Sequence, residues 1–167
     1  MKLLVIRHGP AGDRAAWETQ GRDDSQRPLT PDGKKQMRRA AAGLVTLVPS
    51  IDVLATSPLV RAVQSAEIVA DEYRSDLVTV DTLVPDADPG ATVSWLRELE
   101  AEETIALVGH EPHLGILIGF LLTGKRSSVI DLKKAGAGLL ELPDPPQSGG
   151  GTLEWLIPPR VLRRLGE

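Results

Sequence analysis

Three short runs of branched, apolar residues constrain this chain more than any other feature. Leu3 to Ile6, Ile51 to Ala55 and Thr104 to Val108 place apolar side chains on both alternating positions, as expected of strands buried on both faces in a parallel sheet. Parallel neighbours need crossovers of about a dozen residues or more, usually helical, and helix-length segments lie between these runs. Thr30-Pro31 reads as an N-cap with proline at the first helical position, opening a helix to about Leu47 with Met37, Ala41, Leu44 and Val48 on one face. Pro49 ends it. Ser57-Pro58 repeats the signal before a helix with Leu59, Val63, Ala66, Ile68 and Val69 inward, ending near Tyr73 or Arg74.

Leu77 to Val80 is a further short strand, and Asp88-Pro89 opens a helix with Val93, Leu96 and Leu99 as its stripe. Glu111-Pro112 opens another, apolar nearly all round from Leu114 to Leu122 and therefore central and covered. The tail changes character. Gly138 to Leu142 and Leu153 to Ile157 read as paired strands across a Pro- and Gly-rich loop, and Val161 to Leu165 as a short final helix. The expected fold is a three-layer α/β sandwich: one domain over 1–167, with a mostly parallel central sheet and helices on both faces. Residues 10–26, rich in Gly, Asp and Arg without a sustained period, read as a functional loop.

Composition removes whole chemistries. With no cysteine there are no disulfides, thiolate metal sites or thiol nucleophiles, and histidine chemistry rests on His8, His110 and His113 alone. A net charge of -4 and a pI near 5.4 argue against general nucleic-acid binding. So does the aromatic count of three Trp, one Tyr and one Phe, too few for a stacking platform. No segment has the roughly 20 apolar residues that span a bilayer, and the apolar run before Arg7 is too short for a signal peptide. A cytoplasmic protein that binds neither nucleic acid nor membrane is expected, with no metal and no organic cofactor.

The unusual polar residues fall where three strands end. Arg7-His8-Gly9 follows the first run, Thr56-Ser57-Pro58 with Arg61 the second, and Gly109-His110-Glu111 a later one. In open α/β sheets the carboxyl ends of strands form the ligand crevice, so three pieces of chain converge. Two guanidinium forks suit the oxygens of a phosphoryl group, and a neutral imidazole is a competent nucleophile toward phosphorus. Taken singly, each cluster is as well explained as a loop pair, a solvated arginine or a capping histidine. Their joint placement is what points to an oxyanion site.

These residues are familiar. Leu4-Val5-Ile6-Arg7-His8-Gly9 resembles the Arg-His-Gly signature of the histidine phosphatase superfamily, the phosphoglycerate-mutase-like fold. Thr56-Ser57-Pro58-Leu59-Val60-Arg61-Ala62-Val63-Gln64-Ser65-Ala66 is similar to its second arginine motif, and Val108-Gly109-His110 to its second histidine motif. Arg27-Pro28-Leu29-Thr30, the short length and the closing Pro158-Pro159-Arg160-Val161-Leu162 resemble the SixA-type phosphohistidine phosphatases. The resemblance implies that His8 takes the phosphoryl group, that Arg7 and Arg61 hold its oxygens, and that His110 donates to one of them. It also implies that Arg27 lines the pocket, that Glu111 contacts substrate, and that Gly9 lets the chain pass close to the phosphate. Water would release the group, without metal or cofactor.

One departure stands out. The segment in which many relatives carry a glutamate proton donor reads Asp81-Thr82-Leu83-Val84-Pro85-Asp86-Ala87-Asp88, leaving Asp86 and Asp88 as the candidate general acids. Imidazole leaves phosphorus more readily than an alkoxide, so a missing acid favours a phosphohistidine substrate. The expected partner is a phosphorylated protein such as a histidine-containing phosphotransfer domain. A small phosphate ester is the alternative, and a non-catalytic phosphate-binding module a weaker one. His113 is expected to be a rim residue, and Lys125-Arg126 and Lys133-Lys134 to be solvated surface. Oligomeric state has no signature here.

Overall fold

Alternating burial along the strands organises the molecule. In the computed structural model, which describes residues 1–99 and 103–167, β1 (Lys2–Arg7), β2 (Val53–Thr56), β3 (Leu77–Thr79) and β4 (Thr104–Gly109) are parallel, whereas β5 (Ala137–Glu141) runs antiparallel to β1 and β6 (Thr152–Ile157) antiparallel to β5. The order across the sheet is β3-β2-β4-β1-β5-β6. Consecutive residues of a strand face opposite sides. Leu3, Val5, Ile105 and Leu107 therefore pack with Val93, Leu96, Leu114 and Leu117 on one face, and Leu4, Ile6, Ala106 and Val108 pack with Met37, Leu44, Ala62 and Leu162 on the other.

The helices divide accordingly. α4 (Pro89–Glu98) and α5 (His113–Thr123) cover the first face; α2 (Pro31–Leu47), α3 (Val60–Tyr73) and α6 (Pro159–Leu165) cover the second. This is the expected three-layer sandwich. Each fully buried Leu or Ile contributes about 1.5–3 kcal/mol, so the two faces of β1 and β4 make the centre of the sheet its most strongly held part. α2 starts as read: Thr30 Oγ1 accepts from the Gly33 amide at 2.9 Å, with Pro31 behind it. α2 and α6 meet so closely that a Cβ at Gly43 would collide with the Leu162 carbonyl.

Three expectations need correction. Residues 10–26 are not wholly irregular. Asp13 accepts from the Ala16 amide at 2.7 Å and caps α1 (Arg14–Thr19), and a 3-10 turn follows over Asp24–Gln26. With none of its residues buried, α1 has no apolar stripe for a periodicity reading to detect. Secondly, α3 begins at Val60 rather than after Ser57, because Leu59 takes the N-cap position and the Ser57 hydroxyl is engaged elsewhere. Thirdly, its buried face is Arg61, Ala62, Ser65, Ala66 and Val69; Leu59, Val63 and Ile68 are only half-buried. Small residues let α3 lie close to the sheet, and its first turn turns inward toward the strand ends.

Candidate active site

β2, β4 and β1 are adjacent, so the segments leaving their carboxyl ends meet over the same edge of the sheet. They line a cavity of about 680 Å³ with Arg7, His8, Arg27, Arg61, His110 and Glu111, joined by Asp24 and Lys134. His8 and His110 are buried, their ring centroids 5.0 Å apart and their planes inclined by 55°. The His8 amide continues the ladder to the Gly109 carbonyl at 3.0 Å, and the Ser57 amide reaches the Val108 carbonyl at 3.1 Å. The two histidines are thus placed by backbone hydrogen bonds before any side-chain contact is counted.

His8 Nδ1 lies 2.7 Å from the Gly9 carbonyl oxygen. A carbonyl only accepts, so Nδ1 carries the proton and Nε2 keeps the lone pair. Burial, followed by the charges of Arg61, Arg7 and Lys134, lowers the His8 pKa to about 3, although the Gly9 bond acts the other way. Burial and then the neighbouring His8 and Arg61 lower that of His110 to about 2. Both rings are therefore neutral at neutral pH.

The arginines are anchored through some donors and free at others. Arg7 donates to the Leu132 carbonyl at 2.6 Å. One Arg61 nitrogen donates to the Asp24 carbonyl at 2.9 Å and the other faces its carboxylate at 3.1 Å. Arg27 donates to the same carboxylate at 2.8 Å and to the Gly12 carbonyl at 2.7 Å. The Nε groups of Arg7 and Arg61 are buried and lack a hydrogen-bond partner among the described residues. Buried donors without partners are costly, and a phosphoryl group has the oxygens to satisfy them. Among the described residues no group of three or more His, Asp or Glu side chains is arranged to hold a metal.

Several residues read from sequence take other places. The Asp88 carboxylate accepts from the Gly90 amide at 3.0 Å, capping α4, and from Arg126 at 3.1 Å. Neither Asp88 nor the exposed Asp86 lines the cavity, because the turn that carries them is used to start α4. The bare face of Gly9 meets α2, where a Cβ would sit 3.2 Å from the Gly33 carbonyl oxygen, and its amide donates to Ser65 Oγ at 3.0 Å. Helix packing, not passage of a phosphate, explains glycine there. His113 is buried beneath the site and not on its rim, with Nε2 3.2 Å from Thr92 Oγ1. Arg126 lies over the Phe120 ring and pairs with Asp88. Lys134 lines the cavity instead of facing bulk solvent alone.

Two carboxyls of the cavity differ in kind. Burial alone would raise Asp24, but the Arg27 hydrogen bond and the Arg61 charge overcome it and hold the carboxyl below its usual range. Burial raises Glu111, against a hydrogen bond from the Leu132 amide at 3.3 Å. Sequence reading missed Asp24, Ser65 and Lys134. Ser65 accepts from Gly9 and donates to the Arg61 carbonyl at 2.7 Å, tying the first strand end to α3. Its place four residues after Arg61, one turn on along the same helix, was the available signal.

Residues 3–84 match the sequence profile of the histidine phosphatase superfamily (branch 1). An uncharacterised protein of Picosynechococcus is 37% identical over 81% of this chain and 82% of its own. Phosphohistidine phosphatase SixA of Escherichia coli is 29% identical over 98% and 97%. Among solved structures, that of the protein histidine phosphatase SixA complexed with tungstate superposes with a TM-score of 0.84 at 28% identity, covering 97% of this chain and 99% of that one. With the Arg-His-Gly segment, the second arginine and the second histidine brought around one cavity, the chain belongs to the histidine phosphatase superfamily and is a phosphatase similar to SixA.

Proposed function

We propose that the protein hydrolyses phosphohistidine carried by another protein, such as a histidine-containing phosphotransfer domain in the cytoplasm, by way of a phosphohistidine on its own His8. The observation that carries this reading is the protonated Nδ1 of His8 against the Gly9 carbonyl, which leaves Nε2 as the nucleophilic nitrogen in a cavity lined by arginines. In the first step the His8 Nε2–P bond forms and the P–N bond of the substrate breaks, the departing imidazole taking a proton. Arg7, Arg61 and His110 donate to the phosphoryl oxygens where charge accumulates. In the second step water attacks phosphorus, the Nε2–P bond breaks, and phosphate leaves with His8 neutral again.

The state of the carboxyls favours a nitrogen leaving group. Asp24 is held ionised by Arg27 and Arg61 and is a poor proton donor. Asp86 and Asp88 stand outside the cavity lining. Similarity over nearly the whole length to phosphohistidine phosphatase SixA points the same way. Glu111 supports a second reading, because a cavity-lining carboxyl raised by burial is the group an alkoxide leaving group would need.

A panel separates the two. A phosphorylated histidine-containing domain is expected to be turned over with kcat/KM at least about 100-fold above any small phosphate ester, a ratio of about 2.7 kcal/mol in transition-state binding. Glu111→Gln is expected to leave phosphohistidine turnover within about threefold, since general acid catalysis supplies about 100-fold or more only where an acid is used. A small ester hydrolysed better than the protein substrate, with that activity lost in Glu111→Gln, establishes the second reading instead.

A further inference from the structure

We infer that Ser57 is a positioning residue: its hydroxyl donates to His110 Nε2 and fixes the tautomer in which Nδ1 carries the proton that a phosphoryl oxygen receives. The inference rests on the proposed phosphoryl-transfer reading of the site. His110 Nε2 and Ser57 Oγ are 2.8 Å apart, and both residues are buried, Ser57 completely. A distance alone does not say which atom donates. The surroundings of Ser57 do. Its oxygen already accepts from the Leu59 amide at 3.3 Å, and no backbone carbonyl or carboxylate among the described residues accepts its proton. A hydroxyl proton buried without an acceptor costs roughly 1–3 kcal/mol. His110 Nε2 is the acceptor present, provided it is unprotonated.

A neutral imidazole with an unprotonated Nε2 is protonated at Nδ1. That nitrogen is buried and has no partner among the described residues, in a ring that lines the cavity 5.0 Å from the ring of His8. The two histidines thereby take complementary roles through opposite partners. Gly9 offers an acceptor, so His8 is protonated on the nitrogen turned to the backbone and presents a lone pair. Ser57 offers a donor, so His110 presents N–H. With the other tautomer, His110 would turn a lone pair toward the phosphoryl oxygens and repel them. Ser57 also explains why α3 starts late: its hydroxyl serves the histidine of β4 rather than the first turn of the helix.

The test needs no knowledge of the physiological substrate. Nitrogen-15 correlation spectra of the histidine rings in the wild-type protein at pH 7.5 are expected to show His110 as the Nδ1–H tautomer and His8 likewise. In Ser57→Ala, His110 is expected to shift toward Nε2–H or to a mixture. Turnover of a generic aryl phosphate and inhibition by orthovanadate are expected to weaken together by about 10- to 100-fold, as happens when a histidine loses its orienting partner. Ser57→Thr, which keeps the hydroxyl, is expected to restore both the tautomer and most of the rate. A wild-type spectrum with His110 protonated on Nε2 overturns the inference, whatever the variants do. So does a Ser57→Ala protein that keeps the Nδ1–H tautomer. Failure on the phosphohistidine substrate alone, with these spectra as expected, counts against the proposed substrate and leaves Ser57 in place.

Discussion

Replacing His8 with alanine is expected to lower kcat/KM by about 10⁴-fold or more, the loss seen when the nucleophile of a covalent mechanism is removed. No other side chain of the cavity can take its place. Cysteine is absent from the chain, Ser57 Oγ is committed to His110 and Leu59, and the proposed lone pair of His110 is directed at Ser57. His8→Ala is expected to stay folded, with a cooperative urea transition, because His8 is held by strand β1 and the Gly109 ladder bond more than by its ring. A variant that keeps more than about one per cent of activity contradicts the mechanism. The same account fixes the acid side of the wild-type pH profile. A nucleophile whose pKa is about 3 is fully unprotonated at pH 5, so kcat/KM measured above the onset of unfolding is expected to show no titration near 6.5.

Acid is expected to unfold this protein early. His8, His110 and His113 have pKa values of about 3, about 2 and about 4 when folded, each lowered chiefly by burial, against roughly 6.5 in an unfolded chain. The unfolded state therefore binds more protons below pH 6.5. The contribution of each group is fully present above that pH and is lost as the pH falls toward the folded value. Each costs about 1.4 kcal/mol per pH unit, so the three together approach about 4 kcal/mol per unit and about 6 kcal/mol between pH 7 and pH 5. Against a total stability of about 5–15 kcal/mol, that brings unfolding within reach near pH 5. Urea midpoints at pH 7, 6 and 5 are expected to fall steeply, and His113→Gln, which lies outside the proposed chemistry, is expected to remove about a third of the slope. Midpoints that stay level from pH 7 to 5 contradict the burial of neutral histidines.

What was legible in the sequence is what local pattern encodes. Leu3 to Ile6 and Thr104 to Val108 announce strands because both faces must be apolar, and the residues that follow such strands share one edge of the sheet whatever their separation along the chain. Arg7, His8, Arg61 and His110 were found for that reason. Asp24 was not, because nothing in a polar stretch of Asp, Gly and Arg says that one carboxylate crosses to an arginine on α3. His113 misled through its spacing. Three residues past His110 suggests a shared exposed face, but it falls in the first turn of α5, which α4 and Thr92 cover. Lys134 lies in a segment with no period at all. It is placed by the amide of its neighbour Ala135, which sits 3.2 Å from the Arg7 carbonyl oxygen and 3.1 Å from that of His8. Asp86 and Asp88 show the converse: an aspartate before proline can be spoken for by a helix cap, which no count of candidate acids reveals.

The central claim is that phosphate passes through Nε2 of His8. A phosphotransfer domain carrying radiolabelled phosphohistidine, mixed with excess protein and quenched in alkali within milliseconds, tests it directly, since phosphohistidine survives base. The account predicts label on His8, recovered as the Nε2-phosphorylated isomer and absent from His8→Ala. Label recovered on the Nδ1 isomer or on another residue, or substrate consumed with no labelled protein at any time, contradicts it.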